Sequence, residues 1–170
     1  PSAKSVVHLI WEKAKGFIQK AFTIIFAASI VIWFLQTFDA RFNVVSMPES
    51  SLLAALGSVF APLFAPLGFA DWRVSTALIT GFTAKESVVS TLTLLLGGEV
   101  SSIDTLFTPF TAVVFLVFVL LYTPCVAAIA TVKREMGSTR AAIATALTQC
   151  VIAWLIAFAV RCVGLAFGLA

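Results

Sequence analysis

Apolar residues fill long blocks along the chain, at 17–38, 52–69, 74–97, 107–132 and 141–160, and polar residues collect in the short stretches between them. A helix needs about 20 apolar residues to cross a bilayer, and the blocks have that length or come close to it. Ahead of the first block, Val6, Val7, Ile10, Trp11, Ala14, Phe17 and Ile18 recur at helical spacing, with Lys4, Glu12, Lys13, Lys15 and Lys20 mostly on the other face. That pattern predicts an amphipathic helix over 1–16 lying in the membrane interface. The block 52–69 is short and carries Gly57, Pro62 and Pro66. Each proline removes a backbone donor and frees a carbonyl one turn back, and in lipid those carbonyls need partners. This block is either a short kinked span or a re-entrant one. The pattern as a whole predicts an all-α fold, a polytopic transmembrane helical bundle of about five membrane-inserted segments with broken or kinked helices.

Composition supports that class. The chain of 170 residues is 61% hydrophobic and 11% charged, against about 25% charged residues in soluble domains. One domain is expected, with no soluble globular portion. The chain begins at Pro1 without a Met, and its lysine-bearing start has no signal-peptide pattern, so it reads as part of a longer protein. With block 52–69 crossing, Lys4, Lys13, Lys15, Lys20, Arg73, Lys133, Arg134 and Arg140 fall on one side and only Arg41 and Arg161 on the other. The positive-inside rule then places the N-terminus in the cytoplasm and the C-terminus outside. Arg161 is expected to reach the outer interface with its long side chain.

The block 74–97 contains Lys85 and Glu86 near its centre. An ionisable group at that depth costs at least ~2.5–3.5 kcal/mol on insertion scales and usually faces a partner or an aqueous path. On a helical wheel Thr76, Thr80, Thr83, Glu86, Ser87, Ser90 and Thr93 share a sector and Lys85 points elsewhere. A hydroxyl row around one carboxylate suits a cation path with Glu86 as its charged ligand. The plainer reading is helix packing through hydroxyl hydrogen bonds. Lys85 would pair with a carboxylate on another helix or balance the empty site, or the pair would only fix helix register.

A second constellation is Leu120-Leu121-Tyr122-Thr123-Pro124-Cys125. Pro124 cannot bond to the Leu120 carbonyl, so the helix should kink and expose backbone oxygen beside the Cys125 thiol. Broken helices form ion sites in transporters, and sulfur favours soft or borderline metals. The alternative is that Cys125 is a small buried hydrophobe. Cys150 and Cys162 have no such context and read as packing residues; His8 and Glu135 read as surface groups. No phosphate-binding loop, zinc motif or catalytic triad is present, so the chain is not expected to be an enzyme.

Several motifs recur in one order: Trp11-Glu12-Lys13-Ala14 with Phe17-Ile18 and Ala21; Pro66-Leu67-Gly68-Phe69 with Trp72; Thr80-Gly81-Phe82 with Ala84-Lys85-Glu86; Leu120-Leu121-Tyr122 with Pro124-Cys125; and Arg134-Glu135. In this combination the chain resembles the last Gate region of the bacterial ferrous iron transport protein B (FeoB) family. The resemblance implies the C-terminal part of an inner-membrane Fe(II) permease, forming one half of the cation path. Its GTP-binding domain and first Gate region would lie outside this chain. By motif, the resemblance carries a transient Fe(II) role to Cys125. It assigns Lys85 and Glu86 to the gate, and Thr80, Thr83, Ser87, Ser90, Thr123 and Pro124 line the path beside them. No cofactor is expected to be bound stably; Fe(II) is the transported substrate, and GTP would act only through the absent domain. The implied partners are the lipid bilayer, the rest of the permease with its GTP-binding domain, and further copies of the chain, with no nucleic acid. Two other readings compete. A nucleoside-type carrier would want aromatic and amide groups near the broken helices, and Gln149 is the one amide in the later spans. A non-transporting membrane scaffold would use Lys85 and Glu86 only as a register lock.

Overall fold

The structure is a computed structural model that describes residues 2–98, 100–122 and 125–168, without the side chains of residues 20, 21 and 100–102. Among the described residues the chain is helical, with no strand beyond one isolated bridge between Phe38 and Val44.

Helix α1 runs without interruption over Ala3–Thr37. Ser2 caps it by accepting from the Ser5 amide at 3.3 Å. No proline falls within it and Gly16 touches nothing, so nothing separates the amphipathic start from the apolar span. The expected interfacial helix over 1–16 is therefore not an element of its own but the first turns of α1. At 1.5 Å per residue, 35 residues reach about 52 Å, well beyond a hydrocarbon core of ~30 Å. The polar end can stand outside the core while the apolar end crosses.

Helix α2 (Leu52–Phe60) leads into a 3-10 segment, Ala61–Leu67, and helix α3 (Trp72–Gly81) leaves at 102° to that pair. Gly68 makes the turn in a left-handed conformation, φ 93°, which glycine adopts without a Cβ penalty. A Cβ on Gly57 would stand 2.7 Å from the Trp72 carbonyl, so only glycine lets α2 lie so close to α3. The carbonyls around Pro62 and Pro66 find their donors on helix α7 (Thr139–Ala166): Trp154 Nε1 donates to Leu63 at 3.0 Å and Arg161 Nη1 donates to Ala65 at 3.1 Å. The Arg161 guanidinium serves the backbone of the proline-rich turn.

Block 74–97 differs most from the straight span that its apolar run predicts. Helix α3 ends at Gly81, and helix α4 (Ser87–Leu95) folds back beside it. The hydroxyls of Thr80 and Thr91 are hydrogen bonded at 2.9 Å, and a side chain on Gly81 would strike Val88. With 10 and 9 residues, each arm is about 15 Å long, too short to cross alone. Block 74–97 is therefore a helical hairpin and not one straight span.

Helix α5 (Pro109–Leu121) and helix α6 (Val126–Met136) follow each other as one interrupted span. Among the described residues three stretches are long and apolar enough to cross a membrane, namely α1, α5 with α6, and α7; the bent pair 52–67 and 72–81 would make a fourth if counted as one span. An aromatic core holds them together. Phe69 packs edge-on against Phe115 at 5.4 Å, Phe64 edge-on against Phe118 at 5.4 Å, and Phe118 stacks on Tyr122 at 5.5 Å. Ala153 and Ala157 of α7 are fully buried, small residues that admit a close neighbour, and the Phe110 ring lies directly on Gly164.

Contacts sort the chain ends. The Leu52 amide donates to the Phe38 carbonyl at 2.9 Å, and Phe69, just before α3, meets Phe107, just before α5. Phe17, Gln19 and Thr23 of α1 instead share a cleft with Ala127, Thr131 and Arg134 of α6. Arg73, just inside α3, pairs with Asp71 at 3.7 Å.

Candidate functional site

The hairpin turn 82–86 and the interruption between α5 and α6 lie against each other. After α3, the Phe82 and Thr83 amides donate back to Ile79 and Thr80 at 3.2 and 2.9 Å, and α4 begins as the Ser87 amide reaches Ala84 at 2.9 Å. This leaves the Phe82 carbonyl outward, and it accepts from the amide of Val126, the first residue of α6, at 2.9 Å. Tyr122 ends α5 in an extended conformation, φ −66° and ψ 172°, and Cys125 precedes α6 in another, φ −57° and ψ 158°. The Tyr122 hydroxyl, buried between the two interruptions, donates to the Leu78 carbonyl at 3.3 Å. A Cβ at Gly81 would collide with that hydroxyl, which is why the hairpin can sit so close. Thr123 and Pro124 lie outside the described residues, so the interruption is defined here by the residues on either side of it.

Lys85 is half-buried at the centre of this crossing. Its ammonium donates to the carbonyls of Leu120 at 3.1 Å and Tyr122 at 3.0 Å, and stands 5.2 Å from the centre of the Tyr122 ring. The expected carboxylate partner is thus replaced by backbone oxygen. The Leu120 carbonyl, expected to be freed by Pro124, accepts from a lysine that comes from another element.

Glu86 occupies the N-cap position of α4, is exposed, makes no capping bond, and has no ion pair among the described residues. Cys125 is half-buried with a free thiol. Among the described residues no three His, Cys, Asp or Glu side chains gather as a metal site. The crossing holds one thiol, one exposed carboxylate and several backbone oxygens, a set that a cation could touch in passing.

The hydroxyl row is reorganised by the hairpin. Thr80, Thr83 and Ser87 converge with Thr91 on a cavity of about 190 Å³, closed on the α1 side by Ser29, Trp33 and Gln36. Ser90 is exposed and does not line it, and the Thr93 hydroxyl donates to its own helix at Val89, 3.0 Å away. Thr76 is buried beside Gly57 with its hydroxyl unpaired. Sequence reasoning missed Ser29, Gln36 and Thr91. A signal existed, since residues 29, 33 and 36 recur at helical spacing on one face of α1, and Thr91 stands one turn beyond Ser87. On the other side of the crossing, a wider apolar cavity of about 920 Å³ is lined by Phe82, Tyr122, Val126, Cys150 and Trp154 among others. Cys150, read as a packing residue, is part of that wall.

Comparison with known proteins matches residues 18–139 to the Gate family model, described as nucleoside recognition. The chain is 41% identical over 142 residues to the Fe(2+) transporter FeoB of Staphylococcus aureus (strain COL), covering 81% of this chain and 21% of that protein. It is 32% identical over 175 residues to the Fe(2+) transporter FeoB of Methanocaldococcus jannaschii, covering 96% and 26%. A third relative, 28% identical over 219 residues, is an Fe(2+) transport protein A/Fe(2+) transporter FeoB fusion protein of Porphyromonas gingivalis; it covers 98% of this chain and 26% of its own length. The chain thus spans roughly a fifth to a quarter of the relatives it matches. No solved structure matches. A multi-pass helical membrane chain with paired helix interruptions, matched over most of its length by one family model, belongs to the Gate family, and the Gate sequences it resembles are those of FeoB iron transporters.

Proposed function

We propose that this chain is part of a membrane permease for Fe(II) and supplies one half of its cation path, with the path touching the crossing of the two interrupted helices. The observation that carries the reading is the contact between the interruptions, where the Phe82 carbonyl meets the Val126 amide and Lys85 meets the Leu120 and Tyr122 carbonyls. Polar backbone at membrane depth is tolerated where protein or a water-filled cavity surrounds it, and transporters place ion sites there. Fe(II) accepts both sulfur and oxygen ligands. Cys125 and Glu86 would serve as transient ligands, and Thr80, Thr83 and Ser87 as polar lining. Ser90 is exposed beside them, and Thr123 and Pro124 belong to the same interruption by sequence. No resident cofactor is needed for this role. GTP would enter only through a GTP-binding domain of the longer protein, and that domain and the rest of the permease are the proposed partners. The proposed setting is a bacterial inner membrane, with the N-terminus and the 133–140 turn cytoplasmic by the positive-inside rule and the C-terminus outside.

One experiment covers site and orientation. In cells making the full-length protein, Cys125→Ser is expected to lower Fe(II) uptake at least about fivefold at unchanged abundance, because a neutral hydroxyl is a poorer ligand than thiolate for a borderline metal. In the same cells an impermeant thiol reagent should fail to label a cysteine at Ser138. Normal uptake in Cys125→Ser removes the thiol from the path, and labelling at 138 reverses the orientation.

The nucleoside reading gains one observation, because Trp33 and Gln36 bring an aromatic ring and an amide to the hydroxyl cavity beside the hairpin. That cavity holds about 190 Å³, below the range of about 300–1,000 Å³ for small-molecule sites. Size therefore favours a cation or water there. Nucleoside uptake lost in Gln36→Leu, with Fe(II) uptake intact, would reverse the preference.

A further inference from the structure

We propose that Lys85 is a tethered cation that makes the path selective, excluding monovalent ions by occupying the carbonyl site they would otherwise use. The inference rests on the proposed cation path. An ammonium has three donors, and Lys85 spends them in a setting built for a positive charge: the Leu120 carbonyl at 3.1 Å, the Tyr122 carbonyl at 3.0 Å, and the face of the Tyr122 ring with its centre 5.2 Å away. Backbone oxygens exposed at a helix interruption are the ligands that replace a cation's water in channels and transporters. Here the protein's own charge fills that position, brought by a hairpin turn from outside the interrupted span.

The chemistry gives the direction of selection. Na+ or K+ would exchange one unit charge for another and gain nothing from the carbonyls. It would also compete with a group held at high effective concentration by its own chain. A divalent ion interacts with the same oxygens with twice the charge and repels the ammonium more strongly. It can therefore move Lys85 aside where a monovalent ion does not. The plainer account is a hydrogen-bonding staple that satisfies two carbonyls and carries no selectivity. The two differ on one point, because a staple needs a donor and the selectivity role needs the charge.

The test uses the full-length gene product in proteoliposomes, with Na+, K+ and Fe(II) fluxes measured separately. Lys85→Gln keeps a donor without the charge, Lys85→Met removes both, and Lys85→Arg keeps the charge. Lys85→Gln and Lys85→Met are expected to raise the Na+ and K+ leak by about tenfold or more, the factor set by losing one charge-assisted hydrogen bond. Lys85→Arg should stay near wild type. A folded Lys85→Gln protein that is as tight to Na+ as wild type overturns the proposal. The Fe(II) arm reports separately on the path itself: if the wild-type protein carries no Fe(II) flux, the substrate assignment fails while the Na+ arm still decides on Lys85. Should the neutral variants not fold, acylation of Lys85 by an amine reagent in the wild-type protein replaces them. Fe(II) should speed it and Na+ should not; equal rates with and without Fe(II) overturn the proposal.

Discussion

Glu86→Gln in the full-length transporter is expected to lower Fe(II) uptake by about 10- to 100-fold, the span of one lost charge-assisted contact of ~1.5–3 kcal/mol. Folded protein should remain at nearly its normal level. Glu86 is exposed at the start of α4 and has no ion pair among the described residues, so its charge supports no contact that its loss would break. Lys85 is bonded to carbonyls rather than to Glu86, so the amide leaves no lysine unpaired. This separates the path from a register lock. A lock would have Glu86→Gln reduce abundance, with Lys85→Met restoring abundance and uptake together. Recovery of uptake in that double variant would sink the path; recovery of abundance alone would not.

Gly81→Ala is expected to damage both the fold and the crossing. Its Cβ would enter the space held by the Val88 side chain and the Tyr122 hydroxyl at once. One neighbour belongs to the returning arm of the hairpin and the other to the end of α5, so relief of either clash opens the crossing. Overpacking of this kind costs about 1–3 kcal/mol. Here it should also separate Lys85 from its two carbonyls, so uptake should be lost even in the fraction that stays folded. Thermal unfolding of purified protein and uptake in vesicles read the two effects. Tyr122→Phe removes one of the clashing atoms, so the double variant Gly81→Ala/Tyr122→Phe should regain part of the lost stability. A Gly81→Ala protein as stable and active as wild type would mean that the hairpin and α5 do not pack this tightly.

Much of this architecture was legible in the apolar blocks. Those at 17–38, 107–132 and 141–160 correspond to α1, to α5 with α6, and to α7. The block 74–97 was misread because hydropathy records how apolar a stretch is and not whether it reverses. No proline marks residues 82–86, and the wheel that aligned Thr76 with Thr93 assumed a straight helix. The charged pair was itself the sign of a turn, since Lys85 and Glu86 are costly inside a simple span and reasonable at a hairpin tip. Proline chemistry predicted which backbone groups would need partners in both broken segments. It could not name the donors, because Trp154 is 91 residues from Leu63 and Lys85 is 35 from Leu120. Such partners are set by packing across the fold, which no local pattern encodes. The hydroxyl cavity was half legible for the same reason: Thr80, Thr83 and Ser87 came from one run, and Ser29 and Gln36 from a helix far upstream.

The central claim is that Fe(II) reaches the place where the two interrupted helices meet, and the Cys125 thiol reports on that place. The direct measurement is the rate at which a small alkylating reagent modifies Cys125 in the full-length protein, read by mass spectrometry with and without Fe(II) under reducing, oxygen-free conditions. The account predicts that Fe(II) slows alkylation of Cys125 severalfold while leaving Cys162 unchanged, and that Glu86→Gln weakens this protection. Equal rates at Cys125 with and without Fe(II), in protein that still takes up iron, would contradict it.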